Sequence, residues 1–174
     1  MISVEVKGLS KTIQQLKKYR SRIRERKKQF LNKLGEMGVA LEIEGMGNIQ
    51  YDGDYYLQSY YKWKDSSTLI IALEGEEVTF IEFGTGTYYT EEHEKADELG
   101  MIRGEFGYKQ GANPPWEFES SSKTNRTEKS RVVREGSWGV RIETYGNPPN
   151  RIAYNTGKFL REIILEVAKE VFSE

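Results

Sequence analysis

Thr68-Leu69-Ile70-Ile71-Ala72-Leu73-Glu74-Gly75-Glu76-Glu77-Val78-Thr79-Phe80-Ile81-Glu82-Phe83-Gly84-Thr85-Gly86 is the stretch on which the fold class turns. Its first six residues form an apolar run of strand length. Residues 74–77 read as a tight connection, and residues 78–83 are rich in β-branched and aromatic side chains. The two runs predict a β-hairpin. In its second strand Glu82 alternates with Ile81 and Phe83, so it is expected to face away from them. Gly84 and Gly86 can then turn the chain out of the sheet, with Thr85 bonding the turn backbone.

Downstream, residues 84–136 read as long and irregular. Residues 90–99 suggest a short helix closed by Gly100, and Asn113-Pro114-Pro115 breaks any regular element. Residues 120–131 contain no apolar side chain. Yet the span also holds Tyr88, Tyr89, Phe106, Tyr108, Trp116 and Phe118, and aromatics suit anchors that dock on another chain. Residues 86–136 are therefore read as a long loop or arm inserted in a single domain, 1–174, and ordered by its partners. Trp138, Val140 and Ile142 then alternate with polar residues as a further strand, which Gly146-Asn147-Pro148-Pro149 ends. Residues 159–172 are the clearest helix. Phe159, Leu160, Ile163, Ile164, Val167, Ala168 and Val171 make one wide stripe expected to cover the sheet. Asn155 or Thr156 is its expected cap.

Upstream, Asp52-Gly53-Asp54 signals a turn before the aromatic cluster Tyr55, Tyr56, Tyr60, Tyr61 and Trp63. Residues 10–47 carry a helical pattern: Ile13, Leu16 and Ile23, then Phe30, Leu34, Met37 and Leu41. Ser10 is the expected N-cap. The pattern predicts either one bent helix or two helices meeting near Arg24. Gly35, Gly38 and Gly45 lower helix propensity but let another backbone approach closely. Ile2, Val4 and Val6 suggest a short strand broken by Gly8. The fold class is thus α+β, a small and mainly antiparallel sheet with the N- and C-terminal helices on one face.

Composition narrows the functional classes. Hydrophobic residues make up only 37% of the 174-residue chain and charged residues 30%, so the core is thin and its burial is expected to be completed by neighbouring subunits. The 11 Tyr and 3 Trp fit such contacts. The chain has no cysteine, which excludes disulfides and Cys-based metal sites. Its first residues lack the basic and apolar regions of a leader peptide. No apolar run approaches the roughly 20 residues that span a bilayer. Charge is polarised. Residues 11–33 hold ten basic side chains and only Glu25, a net of +9, which leaves the rest of the chain at −10 within a total of −1. Such a chain suits subunits that meet unlike surface to unlike surface.

No catalytic constellation emerges. The only histidine, His93, lies in the acidic run Glu91-Glu92-His93-Glu94 and is expected to be solvent-exposed rather than a general base. No phosphate-binding glycine motif follows a strand into a helix, and no cofactor site is expected. The 27 acids single out no carboxylate pair for acid–base work. The basic helix 11–33 could bind phosphates, which leaves a small nucleic-acid-binding protein as the alternative function.

Two segments carry a family resemblance: Phe80-Ile81-Glu82-Phe83-Gly84-Thr85-Gly86, and Gly146-Asn147-Pro148-Pro149-Asn150-Arg151-Ile152-Ala153-Tyr154-Asn155-Thr156 running into Phe159-Leu160-Arg161. A strand ending in Glu-Phe-Gly-Thr-Gly, then a proline turn and a Tyr-Asn-Thr-like start to the last helix, resembles the tail-completion or head–tail joining proteins of long-tailed phages. The order of elements resembles theirs too. In many members an aromatic residue follows the second proline, whereas here Asn150-Arg151-Ile152 intervenes. Many also carry a Pro-x-x-Thr-Gly-x-Leu block where Asp52-Gly53-Asp54-Tyr55-Tyr56-Leu57 stands here. The resemblance implies a structural virion protein, not an enzyme, assembled in the bacterial host cytoplasm into a hexameric ring at the neck or tail end. Its implied partners are further copies of itself, a head connector or stopper protein, and a tail terminator or tail tube protein. DNA would pass through without sequence readout, and no membrane is involved. Glu82, Phe83, Gly84, Thr85, Gly86, Trp116, Pro148, Pro149, Tyr154, Asn155 and Thr156 are the structural and interaction residues expected to matter.

Overall fold

In the computed structural model, residues 8–86, 88–101, 115–121, 127–136 and 139–173 are described. The strand expected at residues 2–6, and Phe106, Tyr108 and Trp138, lie outside them.

The architecture is α+β: a long N-terminal helix, two small antiparallel sheets and a C-terminal helix. Helix α1 runs unbroken from Leu9 to Met46. At about 1.5 Å per residue its 38 residues span about 57 Å. No break occurs near Arg24. The expected cap at Ser10 is also absent: Gly8 precedes the helix in the left-handed region, with no side-chain cap bond, and Ser10 lies in the first turn.

A hairpin forms, but of the two strands expected for it only the one at residues 68–73 is present, and its partner lies upstream rather than at residues 78–83. Strand β1 (Gln58–Trp63) comes from the tyrosine-rich cluster and pairs with β2 (Leu69–Glu74), Tyr61 opposite Ile71. Asp65 closes their turn by accepting the Ser67 N–H at 2.7 Å. The segment expected as the second strand is instead the short helix α2 (Val78–Phe83). Its β-favouring side chains are overruled by tertiary demand. A strand would send Ile81 and Glu82 to opposite faces, whereas both are buried here, Ile81 among apolar neighbours and Glu82 in a polar network.

The second sheet has the order β3-β5-β4, from β3 (Trp116–Ser120), β4 (Arg131–Gly136) and β5 (Gly139–Thr144). The expected strand at Val140 and Ile142 is thus its central strand, with both side chains buried. Two of its strands lie in the span expected to be irregular, because β5 offers both of its edges to that span. Residues 90–99 form no helix; turns run through 94–100, with Gly100 at φ +67°.

Helix α3 (Ile152–Ser173) starts earlier than expected, so Asn155 and Thr156 lie inside it rather than cap it. It packs chiefly on α1, running antiparallel to it, rather than covering a sheet. Phe30 meets Phe172 with ring centroids 6.1 Å apart, Lys33 pairs with Glu170, and Ile152 lies against Gly45. Glycines on α1 let the β1–β2 hairpin, and at Gly38 also α3, come close to it. A Cβ on Gly35 would stand 2.8 Å from the Tyr61 ring, and one on Gly38 would press on Ile71 and Leu160. Among the described residues five apolar side chains are buried (Ile81, Val140, Ile142, Ile152 and Val167) against ten polar or charged residues. Hydrogen bonding therefore carries much of the fold's specificity, and the largest such network lies between α2 and α3.

Candidate functional site

The two segments that carry the family resemblance meet in this network. Thr85 and Asn147 form an isolated antiparallel bridge: the Thr85 N–H donates to the Asn147 carbonyl at 3.0 Å, and the Asn147 N–H returns to the Thr85 carbonyl at 3.2 Å. The Thr85 hydroxyl also donates to the Asn147 side-chain oxygen at 2.5 Å, and the Asn147 amide donates to the Phe80 carbonyl at 3.0 Å. The crossing leaves no space for side chains at its glycines. Gly84 has φ +81°, and a Cβ there would stand 2.8 Å from the Pro149 nitrogen and 2.9 Å from the Asn147 carbonyl oxygen. Gly146 has φ +97°, and a Cβ there would run into the Thr85 carbonyl. On Gly86 it would reach 2.5 Å from the Tyr145 carbonyl and 3.3 Å from the Trp116 ring. Trp116, expected to anchor a partner, is thus half-buried in β3 beside this crossing of its own chain. Pro149 is buried and Pro148 half-buried in the turn that follows.

Glu82 performs the task expected of Asn155 or Thr156, but from another element. Its carboxylate accepts the Ala153 N–H at 3.0 Å and the Tyr154 N–H at 2.9 Å. These are among the first-turn donors of α3 that have no partner within the helix, and a carboxylate there also complements the helix dipole.

His93, expected at the surface, is buried beside Glu82. Its Nδ1 accepts the Lys95 N–H at 3.0 Å, which leaves the proton on Nε2 to donate to Glu82 at 3.2 Å. The ring lies against Phe83 (centroids 4.4 Å apart) and Tyr154 (5.2 Å). The acidic run stays outside while its one uncharged side chain turns inward to satisfy a buried carboxylate. Both ring nitrogens are engaged and the ring is buried, so the pair ties residues 93–95 to the start of α3.

Asn150 and Arg151, the residues that depart from the family pattern, lock the junction. The Asn150 amide donates to the carbonyls of Gln50 (3.2 Å) and Ile81 (3.0 Å), and its side-chain oxygen accepts the Gln50 N–H at 2.7 Å. Arg151 precedes α3 with φ 54° and pairs with Glu91 at 3.2 Å and Glu94 at 3.0 Å. The Glu94 carboxyl is held below its usual range by a bond from its own backbone, then by Arg151.

Two further buried acids stand near the junction. Asp52, from the expected turn, accepts the Thr127 N–H at 2.5 Å, the Thr127 hydroxyl at 3.0 Å and the Thr144 hydroxyl. It ties the segment before β4 to β5. Burial, then the charges of Glu77 and Asp52, push the neighbouring Tyr51 phenol up to about 12. Glu42 of α1 accepts the Ser59 hydroxyl at 2.5 Å, and burial raises its pKa.

The junction therefore gathers Glu82, Phe83, Gly84, Thr85, Gly86, Trp116, Pro148, Pro149 and Tyr154. Thr156 is buried further along α3, and Asn155 faces outward. Sequence reading missed His93, Asn147, Asn150 and Arg151 as members. A polar residue beside Pro-Pro signals a turn, but nothing local signals which distant carbonyls it will bind. Among the described residues no group of three or more His, Asp or Glu side chains is placed to hold a metal, and no helix is long and apolar enough to cross a membrane. Comparison of the chain with family models, curated proteins and solved structures returned no match.

A second feature is open where the junction is closed. Every residue of α1 from Leu9 to Glu25 is exposed, including Leu9, Ile13, Leu16, Tyr19 and Ile23. Beside the end of this segment a cleft of about 750 Å³ is lined by Arg24, Lys27, Lys28 and Trp63 together with Asp65 and Ser66.

Proposed function

We propose that this chain is a structural subunit of the neck or tail end of a long-tailed phage, building a ring that joins the tail to the head connector around the DNA path. The observation that carries the reading is the balance of burial. Five apolar side chains are buried among the described residues while fifteen large ones are exposed, most of them on the two long helices. A chain that leaves so much apolar surface in water completes its burial against neighbours. The Glu-Phe-Gly-Thr-Gly and proline-turn segments support the same reading: they meet in a closed, fully bonded crossing suited to holding a rigid subunit shape. The ring is a hexamer of this chain, with a connector or stopper protein on one face and a tail terminator or tube protein on the other. It assembles in the host cytoplasm and ends in the virion. Interrupting the reading frame in the phage that encodes it is expected to leave filled heads and free tails apart by electron microscopy. Intact, infectious particles would remove the proposal.

The cleft beside Trp63 favours one alternative, a nucleic-acid-binding protein that uses residues 11–33, because three cations and an aromatic face suit a phosphate and a base. That reading requires binding of duplex or single-stranded DNA by the purified protein with a steep fall as salt rises. Binding that is absent at low salt rules it out.

A further inference from the structure

The uncovered half of α1 sits at one end of the molecule. Helix α3 runs antiparallel to α1 and ends where the Arg26 guanidinium donates to the Phe172 carbonyl at 2.8 Å. Beyond that point α1 continues for residues 9–25, about 25 Å at roughly 1.5 Å per residue. Along it, Leu9, Ile13, Leu16, Tyr19 and Ile23 continue the stripe that Phe30, Leu34 and Leu41 form further on. Leu16 and Tyr19 are more than 60% exposed. This half is also poorly built to stand alone. It has no side-chain cap and no acid in its first turn, and its basic side chains oppose the helix dipole. A lone helix of this length is marginal in water.

The other end of the molecule carries the opposite charge. Residues 91–98 hold Glu91, Glu92, Glu94, Asp97 and Glu98 against Lys95, and all five acids are exposed. Leu99 follows, 55% exposed. His93 and Arg151 fix this run beside the first turn of α3, next to the C-terminal end of α1.

We propose that residues 9–25 of α1 dock head to tail on the acidic face around residues 91–99 of a second copy of this chain, an inference that rests on the self-assembling ring described above. Charge decides among the occupants. Two α1 segments brought together would each carry a dense positive charge and repel, so a symmetric contact between them is disfavoured. Nucleic acid would neutralise the cations but leave the apolar stripe in water. An anionic membrane would take both stripe and cations but would repel the remainder of the chain, which carries −10. A second copy satisfies the stripe with Leu99 and its surroundings, and the cations with the acids. Because the two surfaces are different and lie at opposite ends, each copy uses both, which is the contact that builds rings.

Paired charge reversal in the full-length chain tests this. One variant reverses the basic end (Arg20→Glu with Arg24→Glu) and the other the acidic end (Glu92→Lys with Asp97→Lys). Glu92 and Asp97 stand outside the ion pairs that Glu91, Glu94 and Glu98 make. Native mass spectrometry is expected to show wild-type oligomers and at least a tenfold shift toward monomer for each variant alone. An equal mixture of the two is expected to reassemble, because each reversed end then meets its reversed complement and each native end its native one. A third variant, Leu16→Gln with Tyr19→Ser, is expected to weaken assembly without any charge change, and circular dichroism melting shows that each variant folds. Wild-type oligomers that all three variants preserve would overturn this interface and leave the ring standing. A wild-type chain that stays monomeric throughout a concentration series would remove the ring and the interface together. A monomer that binds phosphatidylserine vesicles or duplex DNA through Leu16 and Tyr19 would assign the surface to a membrane or to nucleic acid and overturn the proposal.

Discussion

The two ends of this molecule solve the problem of burial in opposite ways. At the α2–α3 junction polar groups are buried and satisfied: Glu82 accepts from Ala153, Tyr154 and His93, and Asn150 bonds to Gln50 and Ile81. At the far end of α1 apolar groups are exposed and uncovered, from Leu9 to Ile23. A buried polar group without a partner costs about 1–3 kcal/mol, so a network of this kind holds only one geometry. An exposed apolar stripe has no such preference until something lies on it. The comparison separates what the chain completes by itself from what it leaves for a partner, and it can be broken from either side.

The largest effects belong to the closed end. Gly84→Val puts a β-branched side chain at φ +81° with its Cβ against the Pro149 nitrogen and the Asn147 carbonyl, both backbone and unable to give way. A loss on the order of 4 kcal/mol or more is expected, enough to unfold much of the chain in urea titrations. The Ala153 and Tyr154 amides bond different oxygens of Glu82, so Glu82→Gln keeps an acceptor for only one of them, sets its own NH2 against the other and loses the charge, and about 1–3 kcal/mol is expected. If Glu82→Gln costs as much as Gly84→Val, then charge rather than backbone shape organises the junction. If both are mild, the junction does not organise the fold.

These residues also mark how far the sequence could be read. Leu69–Glu74 as a strand, Val140 and Ile142 as core positions, and the long helices at both ends were legible, because hydrophobic period decides them locally. The segment Val78–Phe83 was not, since its side chains favour a strand and only the need to bury Ile81 and Glu82 at successive positions makes it a helix. That the chain turns at Gly84-Thr85-Gly86 and at the proline segment was legible, but not that the two cross each other. His93 was misread for the same reason: an acidic run looks solvated, and nothing local reveals that Glu82 needs a donor from it. The exposed half of α1 has the same apolar pattern as its covered half, so only the structure separates them.

A smaller effect tests the buried acid on the covered half of α1. Desolvation raises the Glu42 pKa above its ordinary 4.5, the Ser59 bond opposes this, and Glu82 adds to it. The folded state therefore holds that proton more tightly than the unfolded state does. The resulting stability is fully present below pH 4.5 and is lost as pH rises through the raised value. Glu42→Gln keeps an oxygen to accept the Ser59 hydroxyl and removes the ionisation. It is expected to be more stable than wild type at pH 7 and to flatten the dependence of urea midpoints on pH just above 4.5. A variant less stable than wild type at pH 7 would show that the Glu42 charge is compensated by groups beyond Ser59.

The smallest stability effect should come from the open end, and its smallness is the point. Leu16→Gln removes a side chain that is mostly in water already, so the isolated subunit has little burial to lose. Its unfolding free energy is expected to stay within about 0.5 kcal/mol of wild type, as for surface sites that touch nothing. The same chemical change at Ile142, which is fully buried, is expected to cost several times more, through both lost burial and an unpaired amide. Hydrogen exchange gives the comparison a second axis. In the isolated subunit the amides of residues 9–25 are expected to exchange close to the rate of free peptide, while those of Phe30–Glu42, covered by α3 and the β1–β2 hairpin, are strongly protected. Protection that is uniform along α1 in the isolated subunit would mean that the helix supports itself from end to end, and the contrast between its two halves would then be one of exposure alone.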